Sequence, residues 1–154
     1  MRITFVLGHA SLAGGVRVAA IYGRKLAERG HEVTIVSRAF REHSALKQTI
    51  RRILPGAKPL NRKSRTPLLD HPGIRHVEVA REFPIDPALV PDADVIIATW
   101  WETAYAVADL PASKGRKFYF VQHHEVHGHL PRHISRGSYY LPLKKITISQ
   151  WLVD

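Results

Sequence analysis

The sequence contains no cysteine and only one methionine among its 154 residues. A chain without cysteine cannot form disulfides, use a thiolate nucleophile or build a cysteine-ligated zinc site. It also has no apolar run near the roughly 18 residues that a membrane span needs, and its first residues lack the pattern of a secretory leader. At this length we expect one soluble, cytoplasmic domain with a sizeable core.

Acidic residues are scarce: 13 Asp and Glu stand against 23 Lys and Arg, for a formal net charge of +10 at pH 7. Most of the excess lies between Arg38 and Arg65, where nine basic residues accompany one acidic residue. Such a segment would attract an anionic membrane surface, a phosphorylated substrate or nucleic acid. A solvated loop whose charge only aids solubility would have the same composition. Of these partners we do not expect nucleic acid. The anion or membrane patch would consist of Arg51, Arg52, Arg62, Lys63 and Arg65.

The first forty residues have the pattern of a strand, a glycine-containing turn, a helix and a second strand. Arg2–Leu7 is apolar at nearly every position after the first, as in a parallel strand that is buried on both faces. In Val16–Arg29 apolar residues recur at spacings of three and four, which predicts an amphipathic helix. Gly30 follows at the carboxyl end of the predicted helix, where glycine readily adopts the left-handed backbone conformation that ends many helices. His31–Ser37 again has the pattern of a strand.

Gly14 and Gly15 lie directly before the predicted helix. Free backbone N–H groups and the positive end of the helix dipole favour an anion such as phosphate at this place. The two glycines would equally allow a tight turn without any ligand. The segment matches neither G-x-G-x-x-G nor a P-loop, which disfavours an ordinary dinucleotide dehydrogenase or an NTPase.

Strands continue to alternate with helices along the rest of the chain. Six short strands predict an α/β fold, namely a Rossmann-like doubly wound parallel sheet in an α/β/α sandwich, with strand order 3-2-1-4-5-6. The third strand is expected near the sheet edge because it alternates strictly. The later predicted strands are Ile74–Ala80, Ala93–Thr99, Arg116–Gln122 and Lys145–Ser149. The later predicted helices are Ser44–Leu54, Trp100–Asp109 and one that begins at Gln150 after an N-cap at Ser149. The predicted loops include 55–73 and His123–Gly137.

Ligands of such folds bind beyond the carboxyl ends of the strands. This edge of the sheet would bring together three loops: Gly8–Gly15, Thr99–Thr103 and Gln122–Gly137. In the second loop, Trp100 and Trp101 follow a strand end, where an aromatic ring can stack on a sugar face. The same two rings could instead pack the following helix against the sheet.

The third loop is rich in histidine, with five imidazoles between His123 and His133. Clustered imidazoles are common zinc ligands. The spacing here is not H-E-x-x-H, and Gly128 and Pro131 disfavour a helix that would align two ligands. We therefore expect no metal and leave two alternatives: one or two histidines that contact a substrate, or a histidine-rich surface loop.

The opening "RITFVLGHASLAGGVRVAAIYGRKLAERGHEVTIVS" resembles the start of the family 4 glycosyltransferases, which have the GT-B fold. The segment Leu26–Val33, "LAERGHEV", matches the signature end of the first helix in that family. Later segments, "DADVIIATWWETAYAV", "KFYFVQHHE" and "LPLKKITISQWLVD", are similar to the later strands of the same N-terminal domain. The similarity spans most of the chain and is weakest from 38 to 92.

This resemblance implies a function for the chain. A GT-B enzyme has two Rossmann-like domains with the active site between them, and residues 1–154 would be the N-terminal, acceptor-side domain without the C-terminal donor-binding domain. The reaction would move a sugar, with retention, from a nucleotide-diphosphate sugar to a sugar, lipid-linked or phosphorylated acceptor, without a metal or other cofactor. The isolated domain is expected to be inactive, and the enzyme to be cytoplasmic, with peripheral contact at the inner face of the membrane.

The resemblance also assigns roles to residues. Gly14 and Gly15 would close over the donor diphosphate, and His123, His124 and Glu125 are the candidates for the catalytic position beside the reacting sugar. Further contacts to the acceptor or sugar are expected from His9, Trp100, Trp101 and Glu102. The alternative function is a non-catalytic single-domain module that binds a nucleotide or a phosphosugar.

Overall fold

The computed structural model describes residues 1–39, 66–79, 84–128 and 130–152. Six parallel strands form one sheet in the order β3-β2-β1-β4-β5-β6. This confirms the predicted doubly wound sheet, its strand order and the edge position of the third strand. The strands are β1 (Arg2–His9), β2 (Glu32–Arg38), β3 (Ile74–Val79), β4 (Val95–Ala98), β5 (Arg116–Val121) and β6 (Lys144–Thr147).

The strand β1 occupies the middle of the sheet, and every residue from Ile3 to Leu7 is buried. Alternate side chains of β1 enter two separate cores, one on each face of the sheet. Each fully buried Val, Leu or Ile side chain contributes about 1.5–3 kcal/mol to folding, so a strand that is apolar on both faces belongs at the centre.

One face of the sheet is covered by α1 (Gly14–Glu28), which begins two residues earlier than the sequence predicts. Its buried residues Ala19, Ala20 and Gly23 are small, which lets the helix lie close to the sheet. Gly30 ends the helical segment with φ of +82°, in the left-handed region that the sequence predicts there.

The other face is covered by α2 (Trp101–Asp109), and α3 (Arg132–Gly137) packs against α2. The buried residues Ala104, Ala106 and Val107 of α2 join the core on this side of the sheet. Two helical faces around one sheet make the α/β/α sandwich. Short 3-10 turns complete the connections at Pro67–Leu69, Pro87–Leu89, Ala112–Lys114, Ser138–Tyr140 and Gln150–Leu152.

The prediction that His123–Gly137 is entirely loop is wrong, because its last six residues form α3. This helix is too short for apolar periodicity to indicate it, and tertiary packing stabilises it instead. Tyr105 of α2 donates a hydrogen bond to the carbonyl of Ile134 at 3.0 Å. A Cβ on Gly137 would come within 2.7 Å of the Tyr105 hydroxyl, so the two helices approach closely there.

The last helical segment begins at Gln150 as predicted, but it is a 3-10 turn over Gln150–Leu152. Ser149 Oγ is buried and has no hydrogen-bond partner in the part of the chain that the structure describes, so it does not act as the expected cap there.

Other sequence predictions concern residues outside the described ranges. They are the helix Ser44–Leu54 and the basic patch Arg51, Arg52, Arg62, Lys63 and Arg65. Within the described ranges, every helix is too short or too polar to cross a membrane.

Candidate functional site

The carboxyl ends of β1, β4 and β5 are neighbours in the sheet, and the three loops that follow them share one rim. Gln122, the first residue after β5, reaches past the end of β4 to the start of α1. Its Nε2 donates a hydrogen bond to the carbonyl oxygen of Gly15 at 3.3 Å. The loop Gly8–Gly15, called the glycine loop below, is therefore in direct contact with the loop that begins at Gln122 and ends before α3, called the histidine loop.

The amino end of α1 points its backbone N–H groups to this rim. The N-cap residue Ala13 has no side chain that could accept a hydrogen bond, and the first turn contains no acidic residue. Gly14 and Gly15 are exposed, and a Cβ on Gly14 would meet no atom within 4 Å. The positive end of the helix dipole is thus accessible and uncompensated by any carboxylate of its own first turn.

An ion pair lies on the rim between β2 and α2. Arg38 Nη2 is 2.5 Å from Glu102 Oε2, and Arg38 Nε donates a hydrogen bond to the Gly8 carbonyl at 3.2 Å. The side chains are only 13% and 30% exposed, respectively. Glu102, a predicted sugar contact, is therefore at the rim but engaged with Arg38. His9, a second predicted contact, is half-buried at the end of β1, where the pairing with β2 shifts register.

The turn from β4 into α2 is held by the buried hydroxyl of Thr103. Its Oγ1 accepts hydrogen bonds from the backbone N–H groups of Thr99 at 3.0 Å and Trp100 at 2.9 Å, and it donates to the Trp100 carbonyl at 2.7 Å. This network satisfies two N–H groups that would otherwise be buried without a partner. It also fixes the direction in which Trp100 and Glu102 leave the sheet.

Glu125 lies behind the rim and is 2% exposed. Its Oε2 accepts hydrogen bonds from the backbone N–H of Trp101 and from the Tyr119 hydroxyl, each at 2.8 Å. The backbone N–H of Glu125 donates in turn to the Tyr139 hydroxyl at 2.7 Å. The carboxyl group therefore joins the histidine loop to the amino end of α2 and to the core.

The environment of Glu125 changes its protonation. Burial raises the pKa of the carboxyl from 4.5 to about 7, although the hydrogen bonds from Tyr119 and Trp101 act in the opposite direction. Burial, together with the charge of Glu125, raises the pKa of Tyr119 well above its ordinary value. The carboxyl thus titrates near neutral pH in an interior position, where it contacts protein groups.

His123 and His124 are both exposed, in contrast to Glu125. His123 Nδ1 lies 2.9 Å from the carbonyl oxygen of His124, and because a carbonyl only accepts, Nδ1 must carry the hydrogen. The His124 ring stacks on Tyr139 with centroids 5.9 Å apart. The structure therefore separates the three catalytic candidates into two surface imidazoles and one interior carboxyl.

The two adjacent tryptophans are half-buried. Trp101 Nε1 is buried and makes no hydrogen bond to any described residue, which is the environment of a packed ring. Trp100 lies beside β1, where a Cβ on Gly8 would be 3.9 Å from its Cδ1. The exposed tryptophan is Trp151, whose ring stands edge-to-face with His123 at a centroid distance of 6.1 Å.

Sequence reasoning missed several rim residues. Gln122 and Arg38 each come at a strand end, which is the one signal that could have identified them. Nothing in the sequence indicated that Tyr139 and Trp151 would meet the histidine loop. Within the described residues, no group of three or more His, Asp or Glu side chains is arranged to hold a metal ion.

The sequence matches no protein-family model and no curated protein.

Proposed function

We propose that this chain is the N-terminal, acceptor-side domain of a retaining GT-B glycosyltransferase. In this proposal it acts with a second domain to transfer a sugar from a nucleotide-diphosphate sugar to a sugar, lipid-linked or phosphorylated acceptor. The resemblance of "LAERGHEV" and the later strands supports it, as does the observed strand order.

The observation that carries the proposal is the contact between Gln122 and Gly15. It joins the uncapped amino end of α1, where a diphosphate would be stabilised, to the loop that presents His123 and His124. A donor that spans these loops would have its phosphates at α1 and its sugar beside the imidazoles. This is the arrangement that a transferase acting on nucleotide sugars requires.

The exposed and the buried residues of the site would then have different roles. His123 and His124 would orient the substrates and stabilise charge that develops on the leaving diphosphate. Glu125 would act through its neighbours, because its hydrogen bonds go to Trp101 and Tyr119. Retention without a protein nucleophile is consistent with an interior carboxyl that does not reach the rim.

The test starts from the complete open reading frame that contains the codons for residues 1–154. The complete open reading frame is expressed and incubated with UDP-, GDP- and ADP-sugars and candidate acceptors. We expect release of nucleotide diphosphate that depends on acceptor, with the same anomeric configuration in product and donor by NMR. Replacement of both His123 and His124 by Ala should lower kcat by about 100-fold or more, since positioned catalytic groups typically contribute that much.

Two results would contradict the proposal. A reading frame that stops at Asp154 would favour the non-catalytic module that binds a nucleotide or phosphosugar. A second domain without acceptor-dependent transfer from any tested donor would argue against glycosyl transfer itself.

A further inference from the structure

Trp151 is the large aromatic side chain that borders the histidine loop and remains open to solvent. It is 58% exposed and lies in the 3-10 turn that follows β6. Its ring is inclined by 83° to the His123 ring, and the centroids are 6.1 Å apart. Two perpendicular rings, one apolar and one polar, form what we call the Trp151–His123 corner.

The imidazole side of this corner has a defined hydrogen-bonding character. Because Nδ1 of His123 carries its hydrogen toward the His124 carbonyl, Nε2 of the neutral ring has a free lone pair. A hydroxyl group can therefore donate a hydrogen bond to Nε2. The centroid of the His127 ring lies 5.1 Å from that of His123.

We propose that the Trp151–His123 corner binds one pyranose ring of a carbohydrate acceptor. The apolar C–H face of the sugar packs on the indole, and one sugar hydroxyl donates to His123 Nε2. An exposed indole face provides affinity through apolar contact with the sugar, and the adjacent imidazole nitrogen fixes the orientation of the sugar through one hydrogen bond. This inference deepens the proposed function. It rests on that proposal for the role of the bound sugar as the acceptor of the transfer reaction.

The position of the corner fits that role. Gln122, the residue before His123, is hydrogen-bonded to Gly15 at the amino end of α1. His123 therefore directly follows the residue that contacts the amino end of α1, and its own ring contacts the indole of Trp151. An acceptor sugar at the corner would lie next to a donor whose phosphates are at α1.

Trp100 and Trp101 are poorer candidates for the same task. Both are half-buried, and Trp101 directs Nε1 into the interior. The backbone of each is fixed by a hydrogen bond, Trp100 to Thr103 and Trp101 to Glu125. Trp151 is therefore the indole with a face available to a ligand ring.

The test titrates this chain with methyl α-glucopyranoside, methyl α-mannopyranoside and methyl α-rhamnopyranoside up to tens of millimolar. Binding is followed by saturation-transfer difference NMR and by the tryptophan emission maximum. We expect saturation of the sugar C–H protons and a blue shift of emission for at least one glycoside. Trp151→Ala should weaken that binding roughly tenfold or more, as expected from the loss of one aromatic contact face.

Matched variants separate the corner from general surface effects. Tyr140 is 79% exposed, and Tyr140→Ala should leave glycoside binding unchanged. His123→Ala should weaken binding, and His123→Gln, which offers a carbonyl acceptor, should restore part of it. Circular dichroism confirms that each variant is folded.

Two outcomes would overturn the proposal that the Trp151–His123 corner binds a sugar. One is equal glycoside binding by the wild type and Trp151→Ala; the other is no binding of any of the three glycosides. Either result would leave the glycosyltransferase proposal to the transfer assay, which depends on the complete reading frame. Loss of glycoside binding in Trp151→Ala with unchanged affinity for UDP would support an acceptor subsite that is separate from the donor site.

Discussion

At the scale of single residues, the buried carboxyl of Glu125 gives the protein a pH dependence that can be measured. Its pKa is about 7 in the folded chain against an ordinary 4.5, because burial disfavours the charged form. Between these values the folded state holds a proton that the unfolded state has released. Stability therefore falls as pH rises from 4.5 to 7, by roughly 3 kcal/mol from this group.

We expect Glu125→Gln to remove this part of the pH dependence, because the amide keeps an acceptor for Trp101 and Tyr119 but does not ionise. Urea unfolding at pH 5 and pH 8 should show a larger loss of stability for the wild type than for Glu125→Gln. Histidine titration is common to both proteins and cancels in the comparison. Glu28→Gln, which changes an exposed carboxyl, should keep the wild-type dependence. Parallel profiles for Glu125→Gln and the wild type would show that the carboxyl is not perturbed.

Adjacent residues of the histidine loop also show why the site was only partly predictable. The letters "HHE" indicated groups that can move protons or stabilise charge, and their place after a strand indicated the rim. They did not indicate that Glu125 is 2% exposed while its two neighbours face solvent. In a loop there is no period of 2 or 3.6 from which to deduce which side chain enters the core. That depends on Tyr119, Tyr139 and Trp101, which stand 6, 14 and 24 residues from Glu125 in the sequence.

At the scale of secondary-structure elements, two glycines with positive φ mark boundaries and differ in the space around them. Gly30 follows α1 with φ of +82° and has no atom within 4 Å of a Cβ position. Gly115 precedes β5 with φ of +104° and ψ of 178°, and a Cβ there would lie 2.7–2.8 Å from backbone atoms of residues 93–95. Backbone strain applies at both positions, and a steric clash applies at Gly115 alone.

We expect Gly30→Ala to lower the free energy of unfolding by about 1 kcal/mol and Gly115→Ala to lower it by about 3 kcal/mol or more. Urea denaturation of the two variants beside the wild type measures the difference. Similar losses at the two positions would mean that the start of β5 can move away from β4 without cost.

At the amino end of α1, the substitution Gly14→Asp should raise the stability of the fold and weaken the binding of a diphosphate. An aspartate at Gly14 would complement the helix dipole and stabilise the fold by about 0.3–1 kcal/mol beyond Gly14→Ala. The same negative charge would repel a diphosphate. We expect a higher melting temperature and at least about tenfold weaker binding of UDP or pyrophosphate for Gly14→Asp, measured by calorimetry.

Gly14→Ala is the matched control, because it changes the backbone propensity without adding charge. It should bind UDP as the wild type does, since the Cβ position is open. If Gly14→Asp bound UDP as well as Gly14→Ala, the phosphates would lie elsewhere on the rim.

Most of the fold follows from local patterns in the sequence. Every predicted strand lies within two residues of the observed one at each end, because runs such as Ile3–Leu7 are apolar on both faces and short. Right-handed crossovers between parallel strands then limit the order of the sheet. The six-residue helix α3 escaped prediction because contacts with Tyr105, and not a repeat of its own residues, stabilise it.

At the scale of the whole molecule, the excess of positive charge predicts attraction to anionic surfaces. The net charge is +10, and the segment from Arg38 to Arg65 provides most of it. Each Lys or Arg near an anionic bilayer contributes about 1 kcal/mol, and screening shortens the range of this attraction to about 10 Å at 0.1 M salt. We expect sedimentation with phosphatidylserine vesicles at low salt, and a steep loss of binding between about 50 and 300 mM NaCl.

Two variants of equal net charge decide whether the location of the charge matters. One replaces Arg51, Arg52, Arg62, Lys63 and Arg65 with Gln. The other makes the same replacement at Arg17, Lys25, Arg29, Arg75 and Lys144, which are exposed residues within the described ranges. A peripheral membrane contact through the basic segment requires that only the first variant lose vesicle binding. Equal loss in both would mean that the total charge drives the attraction without a membrane-binding patch. If the wild type did not bind vesicles at low salt, the membrane would be excluded as a partner. The remaining roles for the basic segment would be binding of a phosphorylated acceptor or an effect on solubility alone.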